Sequence, residues 1–300
     1  MTRNLAQSVR QRLLNLARER GEEFQLVLVR YGLERLLFRL TQSPHAGQFV
    51  LKGAMLFQLW TGQPHRSTRD LDLLGHGAPS ADRLRQLFAE VCSVSVEDDG
   101  LTFRIEGIEA GPIREGDEYQ GVRVQIPAYL GSARIALQID IGFGDAITPA
   151  PSTVSYPAIL DFPAPQLLAY PRETVVAEKY QALTILGIAN SRMKDFYDLW
   201  TLARQFSFAG PLLCAAIAAT FARRNTPLPA APPIALTAEF SDDRVKSTQW
   251  KAWLKKTQPA GELPSLEEVV ALLETFLMPP TLALVGEKKW DRSWHPVEWK

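Results

Sequence analysis

The chain has 300 residues, and its 33 lysines and arginines balance its 33 aspartates and glutamates. That balance excludes a uniformly basic, nucleic-acid-coating surface but not a local basic patch. Cys92 and Cys214 match no metal or redox spacing and read as small buried hydrophobes of a reducing, cytoplasmic compartment. The first residues enter an amphipathic pattern with no leader-like segment, and no apolar run reads as long enough to span a bilayer, so no membrane association is expected.

Residues 4–20 place Leu5, Val9, Leu13, Leu14 and Ala17 at helical spacing, with Arg3, Arg10, Arg12, Arg18 and Arg20 making the segment basic. A second helical pattern covers 24–40 and stops before Ser43-Pro44. Both helices are expected to pack against the sheet domain C-terminal to them. Their arginines read as a solvated face, with an RNA-facing role as the alternative.

Residues 49–74 carry the densest chemistry. A strand ends at Lys52-Gly53 and turns into a short apolar helix. A basic, hydroxyl-rich loop, Arg66-Ser67-Thr68, then leads into the strand Asp70-Leu71-Asp72-Leu73-Leu74. Period-two geometry puts Asp70 and Asp72 on one face and Leu71 and Leu73 on the other. Two adjacent carboxylates repel unless a cation lies between them, and a hard divalent ion suits oxygen ligands. A solvated surface pair is the simpler alternative. The glycine turn before a helix N-terminus lets a phosphate approach backbone N–H groups. Anion cradle and carboxylate pair together are what phosphoryl or nucleotidyl transfer needs.

Ser80 predicts the N-cap of a helix reaching about residue 91. From 101 to 142 the pattern has period two, which predicts antiparallel strands extending the first sheet. Asp140 shares a face with Gln138, opposite Ile139 and Ile141. If its strand neighbours that of Asp70, three carboxylates converge, as a two-metal site requires. Otherwise Asp140 caps the turn at Gly142 and Gly144. Asp145 reads as a turn residue.

The proline-rich stretch 149–171 predicts a boundary, after which the chain is helical: 172–186, 195–205, 211–223, then weaker patterns at 244–254 and 266–277, the last ended by Pro279-Pro280. Glu178-Lys179 lies mid-helix among apolar residues. Arg192, Lys194, Asp195 and Asp198 cluster at the next helix entry, with Asp195 and Asp198 on one face and Lys194 within reach of Asp198. The cluster suits nucleotide phosphates, or is a surface ion-pair lattice of little energetic weight. Trp290, Trp294 and Trp299 form a tail that reads as a packed strap rather than a base-stacking platform. The expected fold is α+β: helices 1–45 packing on the core, a mixed or antiparallel sheet domain at 46–165 flanked by helices, a helical domain at 166–280, and the Trp-rich tail at 281–300.

The Lys52-Gly53 turn, the Arg66-x-Thr68-x-Asp70-x-Asp72 strand, the Asp140 strand, Glu178-Lys179 and Arg192-x-Lys194-Asp195-x-x-Asp198 together resemble the AbiEii/AbiGii toxin family, a branch of the DNA polymerase β-like nucleotidyltransferase superfamily. The resemblance covers roughly residues 5–280. It implies the toxin of a phage-defence toxin–antitoxin pair, with an antitoxin encoded alongside. The implied activity is Mg²⁺-dependent transfer of nucleotides from an NTP to an RNA 3′ end, in particular tRNA, blocking translation, with two ions. It implies Asp70 and Asp72 as metal ligands and Lys179 as the triphosphate holder. Asp195 or Asp198 completes the catalytic set, and Arg192 and Lys194 contact phosphate or RNA. Lys52, Gly53, Ala54, Arg66 and Thr68 would line the nucleotide. Thr68 or Ser67 is the implied target of inactivating phosphorylation. The chain departs from the superfamily in having Gly53-Ala54 where Gly-Gly or Gly-Ser is usual, so a backbone N–H must replace a hydroxyl contact. The competing readings are a nucleotidyl- or phosphotransferase acting on protein, and a nucleotide-binding module without turnover.

Overall fold

The computed structural model describes residues 2–62, 66, 68–113, 121–259 and 263–300, without the side chains of 2–4; Ser67 and the Arg3 side chain lie outside the described residues. The chain divides into two units, one of Met1–Gly144 with Ser152–Ala169, the other of Asp145–Pro151 with Tyr170–Lys300. The fold is mixed α/β, with a helix-flanked mixed sheet in the first unit and a largely helical C-terminal half.

In the first unit, helices α1 (Thr2–Arg20) and α2 (Phe24–Thr41) precede β1 (Phe49–Lys52), α3 (Met55–Thr61), β2 (Asp70–Gly75) and α4 (Ala81–Cys92). Strands β3 (Leu101–Phe103), β4 (Glu109–Pro112), β5 (Val122–Leu130), β6 (Ala133–Phe143), β7 (Ser152–Ser155) and β8 (Gln166–Ala169) come next. The sheet order is β3-β5-β6-β2-β1-β8-β7, with β4 also on β5. Among the described residues, β2/β6 and β1/β8 pair parallel and the other strands of this sheet antiparallel. Alternation made β5 and β6 legible: Val122, Val124, Ile126, Ile135, Leu137, Ile139 and Ile141 are all buried. β4, β7 and β8 were not foreseen. They are short, and the prolines around β7 and β8 read as a linker; these prolines flank the two strands without occupying a ladder position. Ser80 does cap α4, its Oγ accepting from Arg83 N at 3.3 Å.

Helix α2 packs against β6, and Gly32 makes that close: a Cβ there would meet Leu137 Cδ2 at 2.8 Å. Leu137 alternates onto the face of Ile139 and Ile141, so α2 covers the face opposite the carboxylates. The expectation of solvated arginines fails for α2. Arg30, Arg35 and Arg39 are buried. Arg39 donates to both oxygens of Asp99 at 2.6 and 3.0 Å, and Arg35 donates to Asp99, to Glu34 and to the Pro163 carbonyl. Burial pushes the Glu34 carboxyl up to about 7, opposed by the Ile159 N–H and by Arg35. These charges tie α2 to the loops before β3 and β8. In α1, by contrast, Arg10, Arg18 and Arg20 are exposed.

The second unit holds α5 (Arg172–Leu186), α6 (Met193–Gln205), β9 (Phe208–Ala209), α7 (Gly210–Arg223), α8 (Ala238–Ser241), α9 (Arg244–Thr257), α10 (Leu266–Val285), β10 (Ser293–His295) and β11 (Glu298–Trp299). The last two strands form a small sheet with β9. Helix α10 runs through Pro279 and Pro280 instead of ending before them. Two prolines have no N–H to give to the carbonyls of Thr275 and Phe276, four residues back. The Trp299 indole N–H lies 3.2 Å from each of those carbonyls and supplies the missing donor. Trp294 is fully buried and donates to the Ala203 carbonyl at 2.7 Å, so this part of the tail is a packed strap. Trp299→Phe keeps an aromatic ring against Phe276 but removes the donor. It is expected to cost about 1 kcal/mol in chemical unfolding; unchanged stability would mean that water serves those carbonyls equally well.

At 20 residues α10 is long and apolar enough to cross a membrane by length and composition, which corrects the expectation that no run qualifies. Half of it is buried inside the protein, where it packs on α6 and α7.

Candidate functional site

The parallel pairing of β2 with β6 sets Asp72 opposite Asp140 and Asp70 opposite Gln138. On the outer sides, β1 sets Lys52 opposite Asp72, and β5 sets Arg123 opposite Asp140. Four adjacent strands thus carry one row, Lys52–Asp72–Asp140–Arg123, in which two carboxylates are flanked by two cations. Leu71 and Leu73 are fully buried on the other face, while Asp70 and Asp72 are half-buried. The hydrophobic demand of the leucines therefore fixes the carboxylates on the face away from α2.

Gly53 completes this geometry. Its φ is +75°, a left-handed conformation that costs other residues roughly 1–2 kcal/mol. A Cβ built on it would fall 2.0 Å from Asp72 Oδ2. The turn therefore lies directly against the carboxylate, and glycine is required by both conformation and space. Gly53→Ala is expected to fold with a loss of about 1–2 kcal/mol and to lose divalent-ion affinity, because Asp72 must move. Calorimetric Mn²⁺ titration checks this; wild-type affinity would show that the Asp72 position is not critical. Ala54 caps α3 without a side-chain hydrogen bond, so only backbone N–H groups are offered at this turn. Thr68 Oγ1 donates to the Asp70 carbonyl at 3.3 Å, and Arg66 is half-buried.

Arg123 was missed in the sequence. It donates from Nε to Asp140 Oδ1 and from a terminal nitrogen to Oδ2, both at 2.8 Å. These bonds to Asp140 hold the guanidinium above its ordinary pKa, with the charges of Asp70 and Asp72 acting in the same direction. The available signal was its position: Arg123 interrupts Val122 and Val124 on the polar face of a period-two strand. Asp140 is thus engaged in a strand-to-strand ion pair rather than in capping the glycine turn.

Among the described residues, no group of three or more His, Cys, Asp or Glu side chains is placed to hold a metal ion. The donor chemistry of Asp70 and Asp72 still fits magnesium, which takes one or two carboxylates and completes its shell with water and substrate phosphates.

The second unit contains the other predicted group. Lys179 on α5 reaches Asp195 Oδ1 at 2.6 Å and Asp198 Oδ2 at 2.9 Å, both on α6. The carboxylates are fully buried, so the cluster is not a surface ion-pair lattice. Arg192 Nε lies 2.7 Å from Asp195 Oδ2, an ion pair not aligned as a hydrogen bond, and Lys194 is exposed. Asp145, expected as a turn residue, pairs instead with Arg224 at 2.9 Å, and Glu178 lies 3.6 Å from the same guanidinium.

Two crystal structures from Helicobacter pylori are among the solved structures the chain is similar to. JHP933 is 17% identical, with 85% of this chain and 92% of that chain covered at a TM-score of 0.47. A candidate nucleotidyltransferase is 16% identical, with 86% and 96% covered at 0.47. No curated protein matches the chain. The family model described as "Nucleotidyl transferase AbiEii toxin, Type IV TA system" matches residues 35–272, a span that includes the carboxylate row and the Lys179 group. The chain therefore belongs to the AbiEii nucleotidyltransferase toxin family of type IV toxin–antitoxin systems.

Proposed function

We propose that the protein is a metal-dependent toxin that transfers nucleotides from an NTP to the 3′ end of a cytoplasmic RNA, tRNA in the first place, and so blocks translation in a phage-defence setting. The family implies an antitoxin partner. The observation that carries the chemical part of the reading is the Asp70/Asp72 pair on the sheet, pressed against the left-handed Gly53 turn. Magnesium bound there supplies neutralisation of triphosphate charge and activation of an attacking hydroxyl. Asp70 and Asp72 would hold the ion. Gly53 and Ala54 offer backbone N–H groups, and Lys52, Arg66 and Thr68 border the same turn and strand. In the second unit, Lys179 is assigned to a nucleotide phosphate, with its ammonium set by Asp195 and Asp198 as positioning residues. Arg192 and Lys194 are assigned to phosphate or RNA.

The experiment is a labelling assay with protein, Mg²⁺, total tRNA and each α-labelled NTP in turn, beside Asp70→Asn. Label entering tRNA with the wild type alone supports the proposal and identifies the nucleotide. Label entering protein replaces RNA with a protein substrate. NTP binding without transfer to either would overturn the catalytic reading in favour of a binding module.

A further inference from the structure

Both oxygens of Asp140 are taken by one guanidinium in a bidentate fork at 2.8 Å, in the row that also contains Asp72. The fork is more exposed than the acid it holds: the Arg123 side chain is 38% accessible and that of Asp140 16%. A guanidinium keeps its charge in proteins, and oxyanions such as phosphate match its fork as well as a carboxylate does. Asp70 and Asp72 act on the same charge.

We propose that Arg123 is a resident counter-cation standing where a second metal ion would bind, so that the ligand-free site takes a single divalent ion at Asp70 and Asp72. Asp140 becomes a ligand only when a substrate phosphate draws the guanidinium away. Arg123 is then a positioning residue that makes completion of the site conditional on bound NTP. The inference rests on the metal-site reading of Asp70 and Asp72, and the test separates the two.

The test is Mn²⁺ titration of the full chain, read by calorimetry and by the electron paramagnetic resonance of free Mn²⁺. Wild type is expected to bind one ion, and a second once a non-hydrolysable NTP analogue is present. Arg123→Met is expected to bind two without the analogue, or the first about ten- to a hundredfold more tightly, because the three carboxylates then lack this internal cation. Asp140→Asn should cancel this gain in the Arg123→Met background, and by itself should abolish the second ion that the analogue brings to the wild type. Wild-type stoichiometry and affinity in Arg123→Met would overturn the proposal. So would Asp140→Asn taking up the second ion with the analogue as the wild type does, an outcome that decides the matter even if Arg123→Met does not fold. Asp72→Asn binding Mn²⁺ like the wild type would instead overturn the underlying metal site.

Discussion

Asp72→Asn is expected to reduce nucleotide transfer by about 10³-fold or more, the order that several kcal/mol of lost charge stabilisation corresponds to, without unfolding the protein. Asparagine matches aspartate in shape, so its packing against the Gly53 turn is preserved. It removes one negative charge beside Asp140 but also the anion opposite Lys52. These effects on folding oppose each other, whereas ion binding loses a ligand. Transfer rate, Mn²⁺ affinity and thermal unfolding measured on one preparation separate these effects. A variant that keeps wild-type transfer would remove Asp72 from the metal site. Asp70→Asn should act in the same direction, with a smaller effect on the row because Asp70 lies opposite Gln138 rather than Asp140.

Lys179→Ala is expected to destabilise the second unit by about 3–5 kcal/mol, well beyond the typical single substitution. The lysine is the cation shared by Asp195 and Asp198, both of which are fully buried on α6. Its removal leaves Asp195 with Arg192 and takes the ammonium from Asp198. Loss of activity in this variant alone would therefore say little about phosphate binding. Lys179→Met combined with Asp195→Asn and Asp198→Asn removes cation and anions together and should recover much of the stability, since replacing a whole buried ion group is far less costly than breaking it. NTP affinity measured in that folded background tests the phosphate role directly. Wild-type affinity there would move the phosphate contact elsewhere, and a single Lys179→Ala with unchanged stability would show that the buried carboxylates do not depend on it.

Much of this was legible in the chain itself because period-two and period-3.6 patterns are local. The alternation Asp70-Leu71-Asp72-Leu73 determined that two carboxylates share one face of a strand, and Val122 to Ile141 determined the β5–β6 hairpin. The Lys52-Gly53 turn, Ser80 cap and helical second half were likewise set by neighbouring residues. What the sequence could not determine was pairing between distant segments. Only the register of β2 on β6 and of β5 on β6 decided that Asp140 stands beside Asp72 with Arg123 across from it. Only packing decided that Arg35 and Arg39 are buried against Asp99, and that Asp195 and Asp198 on α6 are buried against Lys179 on α5. The tail gives the same lesson: two prolines signal a helix end by local rules, yet α10 continues, and Trp299, a remote residue, donates to the carbonyls they leave without donors. Charge and hydrogen-bond satisfaction act through space, so the tertiary structure alone determined which carboxylate met which cation.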